Sequence, residues 1–293
     1  MIPIKILNKE KVLKDHWDGL SNFVKKHETS ISLWIEQNGL SGILGNEPIK
    51  NLICGDFYLL QSIALHVKIN NELSFLKTNY ETFTRRKSPL YNSEKLVSNI
   101  GITVCPYCNR SFIQSVNSQR RTCQLDHFYS KDEYPYLALS FFNLVPCCYA
   151  CNHQKSTLSI GISPYQDFKT DSLLTFNYIP KDSSFRYPKG EIEIQINAHT
   201  NGELNLSTNI IIFGLNELYA YHTDVVKEIL LKGEIYSVDY IQSLLAQFPH
   251  LFESEEEAIQ LVIGNYVLDE DLGKRPLAKL IRDIAIETKL IKR

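Results

Sequence analysis

The chain lacks the features that would place it in a membrane or let it grip long DNA unaided. No stretch of its 293 residues approaches the roughly 18 consecutive apolar residues that a membrane helix needs. Its first residues, MIPIKILNKEKVLKDHW, carry charges where a signal peptide has its apolar run. No export is therefore expected, and the cytoplasm is the expected location. An excess of positive charge is also missing. The 31 Lys and Arg stand against 33 Asp and Glu, for a net charge of −2 and a pI near 6.5. Proteins that hold long nucleic acid by themselves usually show a strong basic excess. Either the basic groups are concentrated locally, or a partner delivers the nucleic acid. Arg85-Arg86-Lys87, Arg110 and Arg120-Arg121 are the local concentrations. A basic triplet is ordinarily a solvated face. The chain has no internal repeat and no low-complexity tract. Apolar content of 44% and charged content of 22% are ordinary for a globular protein, and the length suits one or two domains.

The seven cysteines are an odd number, and four of them fall into two short-spaced pairs, Cys105/Cys108 and Cys148/Cys151. In a reducing compartment that pattern favours metal over a disulfide framework. Zinc takes four tetrahedral ligands, and a Cys-x-x-C turn offers two thiolates from one backbone knuckle. Two such turns close a site of four thiolates, and closed sites are structural. Cys148, rather than Cys147, is the expected ligand, because only Cys148 stands three residues before Cys151. Cys54, Cys123 and Cys147 are expected as buried thiols.

Around these pairs the pattern is α+β and mainly helical. Residues 1–99 read as a helical region: Val12, Trp17, Leu20, Phe23 and Val24 recur at helical spacing. Gly39–Pro48 breaks it, and a second helical stretch is expected from Phe57 to about Leu76. One more helix leads into residues 100–160, which hold the cysteine pairs. In residues 161–293 a β-hairpin comes first: Ile192, Ile194 and Ile196 alternate with polar residues, Asn201-Gly202 supplies a turn, and Leu204 and Leu206 resume the alternation. Helices follow from Leu215, around Val238–Phe248 and Glu255–Val267, and at Pro276–Ile291. His222 falls on an apolar helical face, where a core or interface role is expected.

Between and beside the cysteine pairs lie Asp126, His127, Asn143 and Asn152, which suit a second, hard-metal centre. Phosphodiester cleavage needs a nucleophilic water, a sink for charge on the phosphate, and help for the leaving oxygen. A neutral imidazole can take the proton of water at cellular pH. Mg²⁺ or Mn²⁺ held by few oxygen ligands can offset the phosphate charge. Adjacent strand residues normally face opposite ways, so Asp126 and His127 share a site only if the strand bends at its end. On a helix, Cys151 and Asn152 stand about 100° apart, so one can face zinc and the other the second metal. Asn152 and Lys155 are spaced i, i+3 on one side, which would put Lys155 on a phosphate of the bound strand, while His153 points elsewhere.

Leu125-Asp126-His127-Phe128, followed by N-L-V-P-x-C-x-x-C-N-x-x-K from Asn143 to Lys155, resembles the HNH endonuclease family. The resemblance covers about fifty residues, including both cysteine pairs. It implies a ββα-metal core with His127 as general base and Asp126 as a metal ligand. It also implies that Asn143 braces the loop that orients His127, and that Asn152 is the second protein ligand. Many members carry histidine at that last position. The implied reaction is cleavage of DNA to 5′-phosphate and 3′-hydroxyl ends. Arg110, Arg120, Arg121 and Lys155 are the expected nucleic-acid contacts. The flanking segments FGLNELYAYH and KRPLAKLIRDI are similar to HNH effectors of bacterial antiphage systems, the Septu type among them, which work beside an ABC- or SMC-like ATPase. The rival reading is a non-catalytic zinc-knuckle module that binds nucleic acid or a partner. It predicts zinc without Mg²⁺-dependent cleavage.

Overall fold

Capped amphipathic helices build the first hundred residues, as shown by a computed structural model that describes residues 1–67, 71–87, 90–117, 120–187, 189–202, 204–236 and 238–291. The helices are α1 (Lys9–Lys26), α2 (Glu28–Gln37), α3 (Ser41–Leu44), α4 (Pro48–Cys54), α5 (Phe57–His66), α6 (Phe75–Arg85) and α7 (Ser93–Ile100). Asn8, Asp56 and Asn92 cap α1, α5 and α7 by accepting from a backbone N–H three residues on. Gly101, at φ +78°, ends α7 in the left-handed conformation that glycine tolerates best. Of the stretch expected to be helical from Phe57 to about Leu76, only Phe57–His66 forms one helix, and the next helix starts at Phe75 and runs on to Arg85. α5 stops at His66 because Val67 is extended, and α6 buries Leu76, Tyr80 and Phe83 on one face.

Four short strands follow: β1 (Ser115–Asn117) pairs with β2 (Arg120–Arg121), and β3 (Gln124–His127) pairs antiparallel with β4 (Leu144–Cys147). Helix α8 (Tyr149–Lys155) leaves directly from β4. One compact unit comprises Pro3–Cys105 and Ile113–Asp167, so helices α1 to α7 share it with the β3–β4–α8 segment. Its core joins the two by named contacts. Trp34 packs on Tyr136, Phe57 packs edge-on to Phe128, and the Tyr136 hydroxyl donates to the Val67 carbonyl at 3.0 Å.

The other unit comprises Met1–Ile2, Pro106–Phe112 and Phe168–Arg293. It holds α9 (Thr170–Leu173), β5 (Leu174–Pro180), β6 (Ile192–Ala198), β7 (Thr200–Asn201), β8 (Leu204–Asn205), α10 (Ser207–Ile212), α11 (Leu215–Tyr219), α12 (Thr223–Ile235), α13 (Val238–Gln247), α14 (Glu255–Ile263) and α15 (Ala278–Glu287). The expected hairpin is re-paired. β6 runs against the upstream β5 over seven registered positions, from Leu174↔Ala198 to Pro180↔Ile192. Asn201-Gly202 closes only the two-residue ladder of β7 and β8. The longer strand wins because it registers seven residues and its pairing includes the buried Phe176, Ile192 and Ile194, whereas Leu204-Asn205 offers only two residues. In this unit the segment after Cys105 is pinned by Asn109, whose Nδ2 donates to the Leu272 carbonyl and whose Oδ1 accepts from the Lys279 N–H. Lys279 and Arg282 of α15 are buried, paired with buried Asp283 and half-buried Asp171. Among the described residues no helix is long and apolar enough to cross a membrane.

Candidate metal centre and catalytic cavity

The Sγ atoms of Cys105, Cys108, Cys148 and Cys151 all lie within 4.8 Å of one another, and all four side chains are buried. Sulfurs bound about 2.3 Å from one tetrahedral zinc stand about 3.8 Å apart, so this cluster is of the right size to hold a metal ion such as zinc. The local hydrogen bonds agree with thiolate chemistry. The Arg110 N–H points at Cys108 Sγ at 3.4 Å, and the Cys151 N–H at Cys148 Sγ at 3.5 Å, where it also caps α8. Cys147 ends β4 outside the cluster. Burial pushes its thiol well above the ordinary range, as does the nearby Asp126.

Asp126 and His127 are the last two residues of β3, opposite Val145 and Leu144. Both line one cavity of about 450 Å³, together with Asn152 of α8. Two neighbouring strand residues thus line one space at the end of β3. Ser130, Lys131, Ser156 and Thr157 line it too, and no motif marked them. His153 also lines it, contrary to the expectation that its side chain points elsewhere.

His127 is almost fully buried, and its Nε2–H donates to the Ala138 carbonyl at 3.0 Å. A carbonyl only accepts, so this bond fixes the tautomer and leaves Nδ1 as the acceptor of the ring. The imidazole is pushed down to about 3, chiefly by burial, then by Lys131, against the opposing Ala138 bond. It is neutral at cellular pH. Tyr80 packs edge-on against it with ring centres 4.4 Å apart.

The carbonyl that holds His127 belongs to a turn whose three successive carbonyls are each taken by a buried side chain. Asn143 Nδ2 donates to Leu137 O at 3.0 Å, His127 to Ala138 O, and His16 Nε2 to Leu139 O at 2.9 Å. Asn143 also accepts from the Tyr129 N–H at 2.7 Å and donates to the Tyr129 carbonyl at 3.0 Å. It therefore clamps both ends of the loop between β3 and β4, and it reaches His127 through that loop. His16 was not among the sequence candidates. Its signal was faint: a single histidine on the buried face of α1, with Val12, Leu20 and Val24.

Lys155 stands differently from the expected phosphate contact. Its side chain is 0% exposed, and Nζ donates to Asp126 Oδ1 at 3.2 Å and to the His127 carbonyl at 2.7 Å. The helical arithmetic put it on the Asn152 side. The pull of a buried carboxylate then drew the ammonium inward, as an uncompensated Asp126 would be costly. Arg110, in the other unit, donates from Nε to His222 Nε2 at 2.9 Å, and burial followed by Arg110 pushes that histidine down. Arg120 and Arg121 form β2, and their side chains lie outside the described residues.

Over 86 residues the chain is 29% identical to the Septu protein PtuB of Bacillus thuringiensis, an alignment that covers 28% of this chain and 32% of that protein. The chain thus matches about a third of the length of this curated relative. No family model matches the chain. No solved structure matches it.

Proposed function

We propose that the chain is a metal-dependent HNH-type endonuclease that cuts DNA, acting as an effector in bacterial antiphage defence and gated by a partner ATPase. The observation that carries this reading is the convergence of Asp126, a tautomerically fixed His127 and Asn152 on one cavity. Similarity to a Septu protein supports the defence role.

In this reading Asp126 and Asn152 hold a divalent ion, and both offer the oxygen donors that Mg²⁺ or Mn²⁺ prefers. When bound, that ion offsets charge on the phosphate and on the leaving oxygen. His127 Nδ1 takes a proton from water, and the water oxygen attacks phosphorus. The P–O3′ bond breaks, the 3′ oxygen leaves and takes a proton from solvent to become a hydroxyl, His127 returns its proton to solvent, and the phosphate stays on the 5′ end. Burial makes His127 a weak base in the absence of substrate. A phosphate in the cavity brings negative charge that raises its affinity for the proton. Lys155 keeps the Asp126 carboxylate in place from beneath, and the four cysteines hold a structural zinc.

The test is incubation of supercoiled plasmid with purified protein in Mg²⁺, Mn²⁺ or EDTA, followed by ligation of the products. Metal-dependent nicks that a ligase reseals fit 5′-phosphate and 3′-hydroxyl ends. Zinc-loaded protein that binds DNA or an ATPase but cuts nothing, even with that ATPase present, would favour the binding-module reading instead.

A further inference from the structure

Helix α8 carries an aromatic pair that neither the metal ligands nor the base require. Tyr149 is 67% exposed, and its ring stacks on that of exposed His153, with centres 5.9 Å apart and planes inclined by 28°. Residues spaced i, i+4 share one face of a helix, so the pair forms a short aromatic ledge. His153 also lines the cavity that holds Asp126, His127 and Asn152. The ledge therefore runs outward from the edge of that cavity.

We infer that Tyr149 and His153 form a stacking subsite for an unpaired nucleobase of the strand whose phosphate enters the cavity. The inference rests on the nuclease reading above and deepens it by naming the substrate class. Every base has a π-face, and proteins that bind single strands seat such faces on tyrosine and histidine rings. Within a continuous duplex those faces are covered by neighbouring base pairs, so a ledge of this kind rewards a strand that is unpaired. The charge balance points the same way. Affinity for duplex comes mainly from many cations set against phosphates, and this chain has a net charge of −2. The cavity itself is lined by one lysine, Lys131, beside the carboxylates of Asp126 and Asp132, so its side chains offer little positive charge to a polyanion. Stacking adds affinity without further positive charge. The preferred substrate is a single-stranded or looped segment.

The experiment uses the full chain with His127→Ala, without added Mg²⁺, so that binding is read apart from cleavage. A short fluorescein-labelled oligonucleotide is titrated as single-stranded DNA, as single-stranded RNA and as duplex DNA of the same sequence. The single strands should bind more tightly than the duplex, and the DNA and RNA arms show which backbone is preferred. Adding Tyr149→Ala should weaken single-strand binding at least about fivefold, whereas Tyr149→Phe should stay within about twofold. A 2-aminopurine base in the strand should lose fluorescence on binding, and lose less of it with Tyr149→Ala. Tyr149 is exposed, so an unchanged thermal unfolding curve for the variant confirms that folding is intact. Equal binding by Tyr149→Ala, a preference for duplex, or no binding of any oligonucleotide overturns the inference. Failure of the wild type to cut even with its partner ATPase present would sink the nuclease reading and leave these binding results standing.

Discussion

His16 and His127, on α1 and at the end of β3, hold the neighbouring carbonyls of Leu139 and Ala138. Each ring spends its Nε2–H on the same turn. The helical region thereby reaches the candidate base through one peptide unit, within the compact unit that α1 shares with the β3–β4–α8 segment. The arrangement is a scaffold for a fixed tautomer. A histidine whose Nε2–H is tied to a carbonyl can work only through Nδ1.

This pairing predicts sensitivity to acid. Burial pushes His16 down to about 4, where the unfolded chain titrates near the ordinary 6.5. The unfolded state therefore takes up a proton that the folded state refuses, and stability falls as pH drops from about 6.5 towards 4. Between pH 7 and pH 5 the loss from His16 alone is about 2 kcal/mol. Urea unfolding at the two pH values should show this slope, reduced by about that amount in His16→Asn. An equal slope in the variant would refute the assignment.

The buried pair of Lys155 and Asp126 predicts a large effect on stability. Lys155→Met leaves a buried carboxylate without its cation, which costs about 3–5 kcal/mol. Chemical denaturation should show the loss directly. A change under about 1 kcal/mol would mean that Nζ does not pair with Asp126 in solution.

Zinc content separates the cysteines. Wild type should purify with one zinc per chain, and Cys151→Ser should lose both the metal and much of its thermal stability. Cys147→Ser should keep the metal, because its thiol lies outside the cluster. Atomic absorption on the three proteins distinguishes them, and zinc retained by Cys151→Ser would contradict the four-cysteine assignment.

Asn143→Ala removes a side chain that bonds Tyr129 N–H, Tyr129 O and Leu137 O. Each buried group left unpaired costs about 1–3 kcal/mol. Cleavage should fall along with stability, because the turn that carries Ala138 loosens. If Asn143→Ala unfolds at the same denaturant concentration as wild type, the clamp is not structural.

Much of the candidate site could be read from the chain because its chemistry uses rigid spacings. Two Cys-x-x-C knuckles fix which cysteines converge, down to Cys148 over Cys147, and the Asp126-His127 pair stands at the end of its strand. The remainder depended on tertiary packing. Nothing local to Lys155 shows that a buried carboxylate lies beneath α8, and nothing near His16 shows that its acceptor is Leu139. The partner of β6 is hidden in the sequence for a related reason. Asn201-Gly202 is a strong turn signal, but the longer strand at Leu174–Pro180 buries more apolar surface and takes the pairing. The helix at Phe75–Arg85 lies almost wholly beyond the expected stretch; Leu76, Tyr80 and Phe83 recur at helical spacing there, but the preceding apolar run hides where one helix ends and the next begins.

The central claim is that His127 acts as the general base of a phosphodiesterase, and the most direct test is the rate of plasmid nicking by His127→Ala beside wild type at equal zinc content in Mg²⁺. Loss of a general base should lower the rate about 10²- to 10⁴-fold with zinc and fold retained. Nicking by His127→Ala at the rate of wild type would contradict the account.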